Sequence, residues 1–207
     1  MKIEVKEPEV KEMFDCAVFY HGHLCPAMPL GLRAGVLAMK KLGVSRSQDK
    51  ELMLLAETAE GHAMACFLDG VMMATGCTYG KGNCKKLRYG KLAFTLIDRK
   101  GKKKVRVAVK GDFVLNALKS SPFIAKRKQG IPPQDVEREL AEAAVNKVLS
   151  LPLEEVFEVS EVEPFEETPK KGTFEAYKCE RCGEAVYSKW VRVKNGKFYC
   201  IPCSEKV

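Results

Sequence analysis

Four asparagines, three glutamines, three histidines and one tryptophan are all that this 207-residue chain contains of those types, and aromatics reach only 8%. No apolar run approaches the roughly 18–20 residues needed to cross a bilayer. The opening MKIEVKEPEVKEMFD is too charged for a secretory signal. A cytoplasmic protein with no membrane partner is therefore expected. Also absent is the C-x2-C-x2-C-x3-C run that ligates ferredoxin-type clusters, and no internal repeat is evident.

What is present fits a folding chain. Hydrophobic residues make up 46% and charged residues 30%, ordinary for a globular protein and too apolar for general disorder. The length suits one core of about 150 residues plus a small appendage. The net charge of +8 is unevenly spread: residues 81–110 hold twelve Lys or Arg against Asp98 alone, whereas residues 154–167 hold seven Glu and no base. This basic lobe and acidic strap read either as solvated surface of a heat-adapted type, given the wealth of Lys and Glu, or as a surface for an anionic partner.

Helical spacing places a first helix over residues 7–20 on Val10, Phe14, Ala17 and Val18. A second starts at Pro26 or Pro29, runs on Leu30, Ala34, Leu37 and Ala38, and stops at Gly43. Its Gly31, Gly35 and Ala38 form a small-residue seam for close approach by another helix, within a subunit or across a dimer. A buried strand is expected over 51–56, a short helix over 66–74, and a basic antiparallel hairpin on Leu92, Phe94, Leu96 and Val105, Val107, Val109. An amphipathic helix over 134–149, a last strand in EVFEVSEVE and a polar linker in FEETPKKG complete the reading. The fold class expected is α+β, mixed helices and antiparallel hairpins forming one core, with a core over 1–165, a linker over 166–176 and a module over 177–207.

Nine cysteines is an odd number, and two tight pairs in a reducing compartment point to metal before disulfides. Cys179, Cys182, Cys200 and Cys203 make C-x2-C-x17-C-x2-C, within the spacing of a four-thiolate zinc site whose bonds are roughly 2.3 Å. Asn195-Gly196 between them suits a type I′ turn. A knuckle, a hairpin and a second pair at a helical turn look like a treble clef, with a zinc ribbon as the alternative. About thirty residues cannot bury enough surface to fold alone, so the metal is the module's core.

The stretch FYHGHLCPAMPLG concentrates chemistry differently. If residues 21–25 are extended, His21, His23 and Cys25 share one face. Cys25 also precedes a helix start, where amide hydrogens and the dipole favour a thiolate. A fourth ligand could come from Cys77 or Cys66. The alternative is that the imidazoles cap the helix and the thiols pack as small hydrophobes. His62 reads as a local hydrogen-bonding residue and Cys16 as packing.

YHGHLCP, the GLRAG helix, and TGCTYGKGN followed by YGKLAF resemble the FmdE family, related to a component of formylmethanofuran dehydrogenase, over roughly residues 12–165. The resemblance implies an α+β core, a homodimer and an accessory treble-clef zinc finger. It also implies a place beside the molybdenum or tungsten enzyme that reduces carbon dioxide onto methanofuran in methanogenesis, whose catalysis belongs to other chains. The family's hallmark residues fall on His21, Gly22, His23, Cys25 and Pro26, then on Gly76, Cys77, Gly80, Lys81, Gly82 and Asn83. Tyr20 stands where Phe is expected and Cys84 where an aliphatic is expected. A second metal or small ligand is thus expected at His21, His23, Cys25, Cys77, Lys81 and Asn83.

Two other functions compete. The basic hairpin and the tail could bind nucleic acid, although a tetrathiolate zinc would leave the tail near +2, from seven bases, three acids and two further charges. Alternatively, Cys25 could be a nucleophile with His21 or His23 as its base.

Overall fold

The computed structural model describes residues 3–166 and 174–206. The chain divides into two compact units, Met1–Glu167 and Thr168–Val207. Most of the expected linker lies outside the described residues. No helix among them is long and apolar enough to cross a membrane.

In the first unit, α1 (Pro8–His21) begins with proline in its first turn and ends at Gly22, whose φ of 88° lets its amide cap the Val18 carbonyl at 2.9 Å. α2 (Ala27–Leu42) is the central helix, with Leu30, Ala34 and Ala38 turned into one apolar cluster and Met28, Leu32 and Val36 into another. β1 (Leu52–Ala56) leads to α3 (His62–Thr75). The small-residue seam serves the α2–α3 contact within the subunit. A methyl group on Gly31 would lie 1.9 Å from the Phe67 carbonyl oxygen, and one on Gly70 would lie 2.0 Å from that of Met28. Only glycine permits backbones to meet so closely.

After α3 come β2 (Cys84–Lys86), β3 (Ala93–Asp98) and β4 (Lys103–Val109), then α4 (Gly111–Ser120), α5 (Pro122–Lys128), α6 (Arg138–Ser150), α7 (Leu153–Val156), β5 (Phe157–Val159) and β6 (Glu163–Pro164). The sheet order is β2-β1-β3-β4-β5, with β6 also pairing β4. Among the described strands, only β1 and β2 run parallel. The architecture is α+β, and the expected hairpin is β3–β4, in register from Ala93↔Ala108 to Asp98↔Lys103.

Two differences have local causes, and a third concerns a single side chain. α6 starts at Arg138 rather than 134 because Pro133–Asp135 forms a 3-10 turn and Val136 is extended. α4 and α5 escaped the pattern because α4 buries no residue and Ser121-Pro122 interrupts it. Cys16, expected in packing, is exposed on α1.

The acidic strap lies along the basic hairpin. β6 pairs with β4, Lys104 meets Glu163 at 3.1 Å, and Lys41 reaches Glu161 at 3.3 Å. Buried Glu57 takes a two-pronged bond from Arg106 at 2.6 and 2.8 Å, which lowers its carboxyl pKa. Buried Arg33 on α2 ties the N-terminus to α6, meeting Glu7 at 2.9 Å and donating to the Leu151 carbonyl at 2.8 Å.

The second unit holds two hairpins, β7 (Ala176–Lys178) with β8 (Ala185–Tyr187) and β9 (Arg192–Lys194) with β10 (Lys197–Tyr199), then α8 (Ile201–Ser204). Asn195 and Gly196 both adopt positive φ, 51° and 73°, as their turn requires. Knuckle, hairpin and helix follow in treble-clef order.

Candidate metal centres

The first centre is assembled from three helices. His21 is the last residue of α1, and the left-handed turn at Gly22 returns the chain so that His23 faces the same way. Their Nε2 atoms stand 3.2 Å apart. Cys25, just before α2, places Sγ 3.6 Å from His21 Nε2, and Cys66 on α3 places Sγ 3.9 Å from His23 Nε2. All four donor atoms lie within 4.8 Å of one another. Edges of a tetrahedron built on zinc–nitrogen and zinc–thiolate bonds measure about 3.3–3.8 Å, so these spacings fit a two-imidazole, two-thiolate cage.

The electrostatics favour that use. The Asp69 carboxylate, accepting from His21 Nδ1 at 2.8 Å, is the main cause raising that imidazole to about 9, with Cys25 adding to it. This bond leaves Nε2 to face the cage, the arrangement in which a carboxylate orients a metal-binding histidine. The Cys66 thiol, donating to Cys25, is the leading cause that lowers the Cys25 pKa, with His21, His23 and the Met28 amide contributing. Cys66 is correspondingly pushed up. Cys25 is only 3% exposed.

The second centre is the cysteine quartet of the tail. Cys179, Cys182, Cys200 and Cys203 again bring all four sulfurs within 4.8 Å of one another. Amide hydrogens of Cys182 and Cys200 lower the Cys179 thiol to about 6. Backbone groups thus prepare a thiolate there, and four sulfurs suit zinc.

The group expected from sequence divides. Cys66 joins His21, His23 and Cys25, whereas Cys77, Lys81 and Asn83 lie outside that cluster. Cys77 is fully buried in the sheet-side core, its thiol raised to about 11 by desolvation. Buried Asn83 donates to the Asp49 and Leu52 carbonyls at 2.9 and 3.1 Å and accepts from the Thr78 amide at 2.9 Å. Lys81 donates to the Ser47 and Gln48 carbonyls at 3.1 and 3.2 Å. These two residues clamp the segment before β1. Cys84 packs as an apolar residue in the same core. The His62 side chain lies outside what is described. Asp69 was missed, though its spacing three residues after Cys66 on one helix was the available signal.

A compact α+β unit with a histidine–cysteine cage, joined to a four-cysteine module, defines the class: a protein with two donor sets that could each hold a metal ion. The family model described as "FmdE, Molybdenum formylmethanofuran dehydrogenase operon" matches residues 20–158, and the chain belongs to the FmdE family. A protein of Archaeoglobus fulgidus named "Probable S-adenosyl-L-methionine-binding protein" is 36% identical over 197 residues, covering 89% of this chain and 50% of that protein. The chain thus spans about half the length of that curated relative. The crystal structure of a tungsten formylmethanofuran dehydrogenase FmdE-like protein from Syntrophus aciditrophicus superposes with a TM-score of 0.62 at 20% identity, covering 100% of this chain and 98% of that one. It shares the fold.

Proposed function

We propose that this chain is a cytoplasmic, homodimeric metal-binding accessory protein that works beside a formylmethanofuran dehydrogenase or a related molybdenum or tungsten enzyme and is not the catalytic subunit. Zinc occupies the Cys179, Cys182, Cys200, Cys203 set, and a second ion is held by His21, His23, Cys25 and Cys66. The observation that carries the reading is the convergence of those two imidazoles and two thiols, with Asp69 behind one imidazole. Family membership supplies the enzyme context.

Metal analysis of the full chain tests it. The expected result is two ions per chain, falling to one in Cys66→Ser and to one in Cys200→Ser. A single ion in wild-type protein, even after reconstitution with zinc, removes the second site. Failure to recover dehydrogenase subunits in a native pull-down removes the partner.

The nucleophile reading has one observation in its favour, the 3.6 Å between Cys25 Sγ and His21 Nε2. Burial of Cys25 counts against attack on a bulky substrate. The nucleic-acid reading loses ground to the acidic strap, which pairs with β4 and already engages Lys104 of the hairpin.

A further inference from the structure

A cleft of about 400 Å³ opens between α2, α4, α5 and α6. That volume falls in the range of small-molecule sites, roughly 300–1,000 Å³. Its walls are apolar, with Leu30, Phe113, Ile124, Leu140, Val148 and Leu151 among them. α4 forms one wall and buries none of its ten residues, leaving Leu115 54% and Leu118 42% exposed. Phe113 and Val114 hold α4 on the core, while Leu118 faces the cleft and gains burial from whatever fills it.

The few polar groups define the rest of the ligand. The Ser121 hydroxyl is occupied in capping the Ile124 amide, and the Ser120 hydroxyl donates to the Asn116 carbonyl. Beside the Ser121 hydroxyl hydrogen, that leaves the Lys147 ammonium and the Asn116 side-chain amide, for which no protein partner is found among the described residues. No Asp or Glu lines the cleft. An apolar body with one anionic head matches this lining, whereas a cationic amphiphile would meet only the lysine's repulsion. Lys147 and Asn116 are both exposed members of the lining.

We propose that this cleft binds an aliphatic carboxylate, its chain between α4 and α6 and its carboxylate on Lys147 and Asn116. Pro26, which follows Cys25, and Ala63, three residues before Cys66, line the same cleft. The binding itself uses none of the cage donors, so it stands independently of the metal reading.

Calorimetric titration of the full chain with decanoate tests the proposal. One saturable site per chain is expected, with a negative heat-capacity change from burial of the apolar tail. Ala143→Trp and Ala117→Trp, which fill the cleft from opposite walls, each weaken binding about tenfold or more. Lys147→Gln weakens it about tenfold through the lost charged hydrogen bond. Decyltrimethylammonium, with the same tail, binds weaker by a similar factor, and Cys66→Ser binds decanoate as the wild type does. Circular dichroism verifies that each variant is folded. The proposal is overturned if decanoate shows no saturation, if both folded tryptophan variants bind unchanged, or if the cationic amphiphile binds equally well. It is also overturned if Ala143→Trp abolishes a dimer while decanoate binds at no dilution, which assigns the cleft to a second copy.

Discussion

The two donor sets differ in what holds them when no ion does. The core cage hangs on α1, α2 and α3, helices of 14 to 16 residues backed by two apolar clusters. The tail quartet hangs on three-residue strands and a four-residue helix, and among its described residues only Cys179, Tyr199 and Ser204 are buried. One site is preformed by packing, and the other is itself the packing. An ion taken by either set would therefore have opposite structural consequences, a guest in the first unit and the core of the second.

Stripping metal sharpens this contrast most. A structural zinc contributes on the order of 10 kcal/mol or more, so a strong chelator or Cys200→Ser should unfold the tail. The single tryptophan, Trp190, lies in that unit and reports on it alone. Its emission should shift while far-UV dichroism of the helical core stays nearly constant; simultaneous loss of both signals would break the comparison. Cys66→Ser should do the reverse, removing one ion and leaving tryptophan emission and the core's melting temperature close to wild type.

Gly31→Ala probes the packing that preforms the cage. Its methyl group would strike the Phe67 carbonyl next to Cys66, and overpacking of this kind costs about 1–3 kcal/mol. Lower core melting and weaker core metal binding, with the tail untouched, are expected. Asp69→Asn should cost about 10–100-fold in core ion affinity without a change in fold, because it acts through His21, orienting the ring and raising its basicity.

The smallest effect concerns pH. Arg106 holds the Glu57 carboxyl below its ordinary value of 4.5, so the pair's stabilisation is complete above that value and is lost as pH falls through the lowered one. Glu57→Gln should cost about 1 kcal/mol at neutral pH, and denaturant titrations should show the gap to wild type closing in acid.

Legibility followed sequence distance. The tail quartet could be read because C-x2-C pairs constrain their own loops, and His21, His23 and Cys25 because they are neighbours along the chain. Cys66 could not be separated from Cys77, since one lies in the first half of α3 and the other just past its end, and only the fold says which faces the cage. The helix runs nine residues on from Cys66 to Thr75, about 14 Å, before the chain reaches Cys77, so a single ion could never take both along with the histidines. β2 was too short to show a period, and its parallel pairing with β1 depends on the α3 crossover between them. The charge blocks were legible as blocks, but their mutual pairing needed the β4–β6 register.

That pairing has a consequence in time. The cationic hairpin ends at Val109, while Glu163, which meets Lys104, comes roughly fifty residues later, a delay of several seconds at ribosomal rates. A nascent chain stalled before its acids emerge should adhere to polyanions more strongly than the finished one.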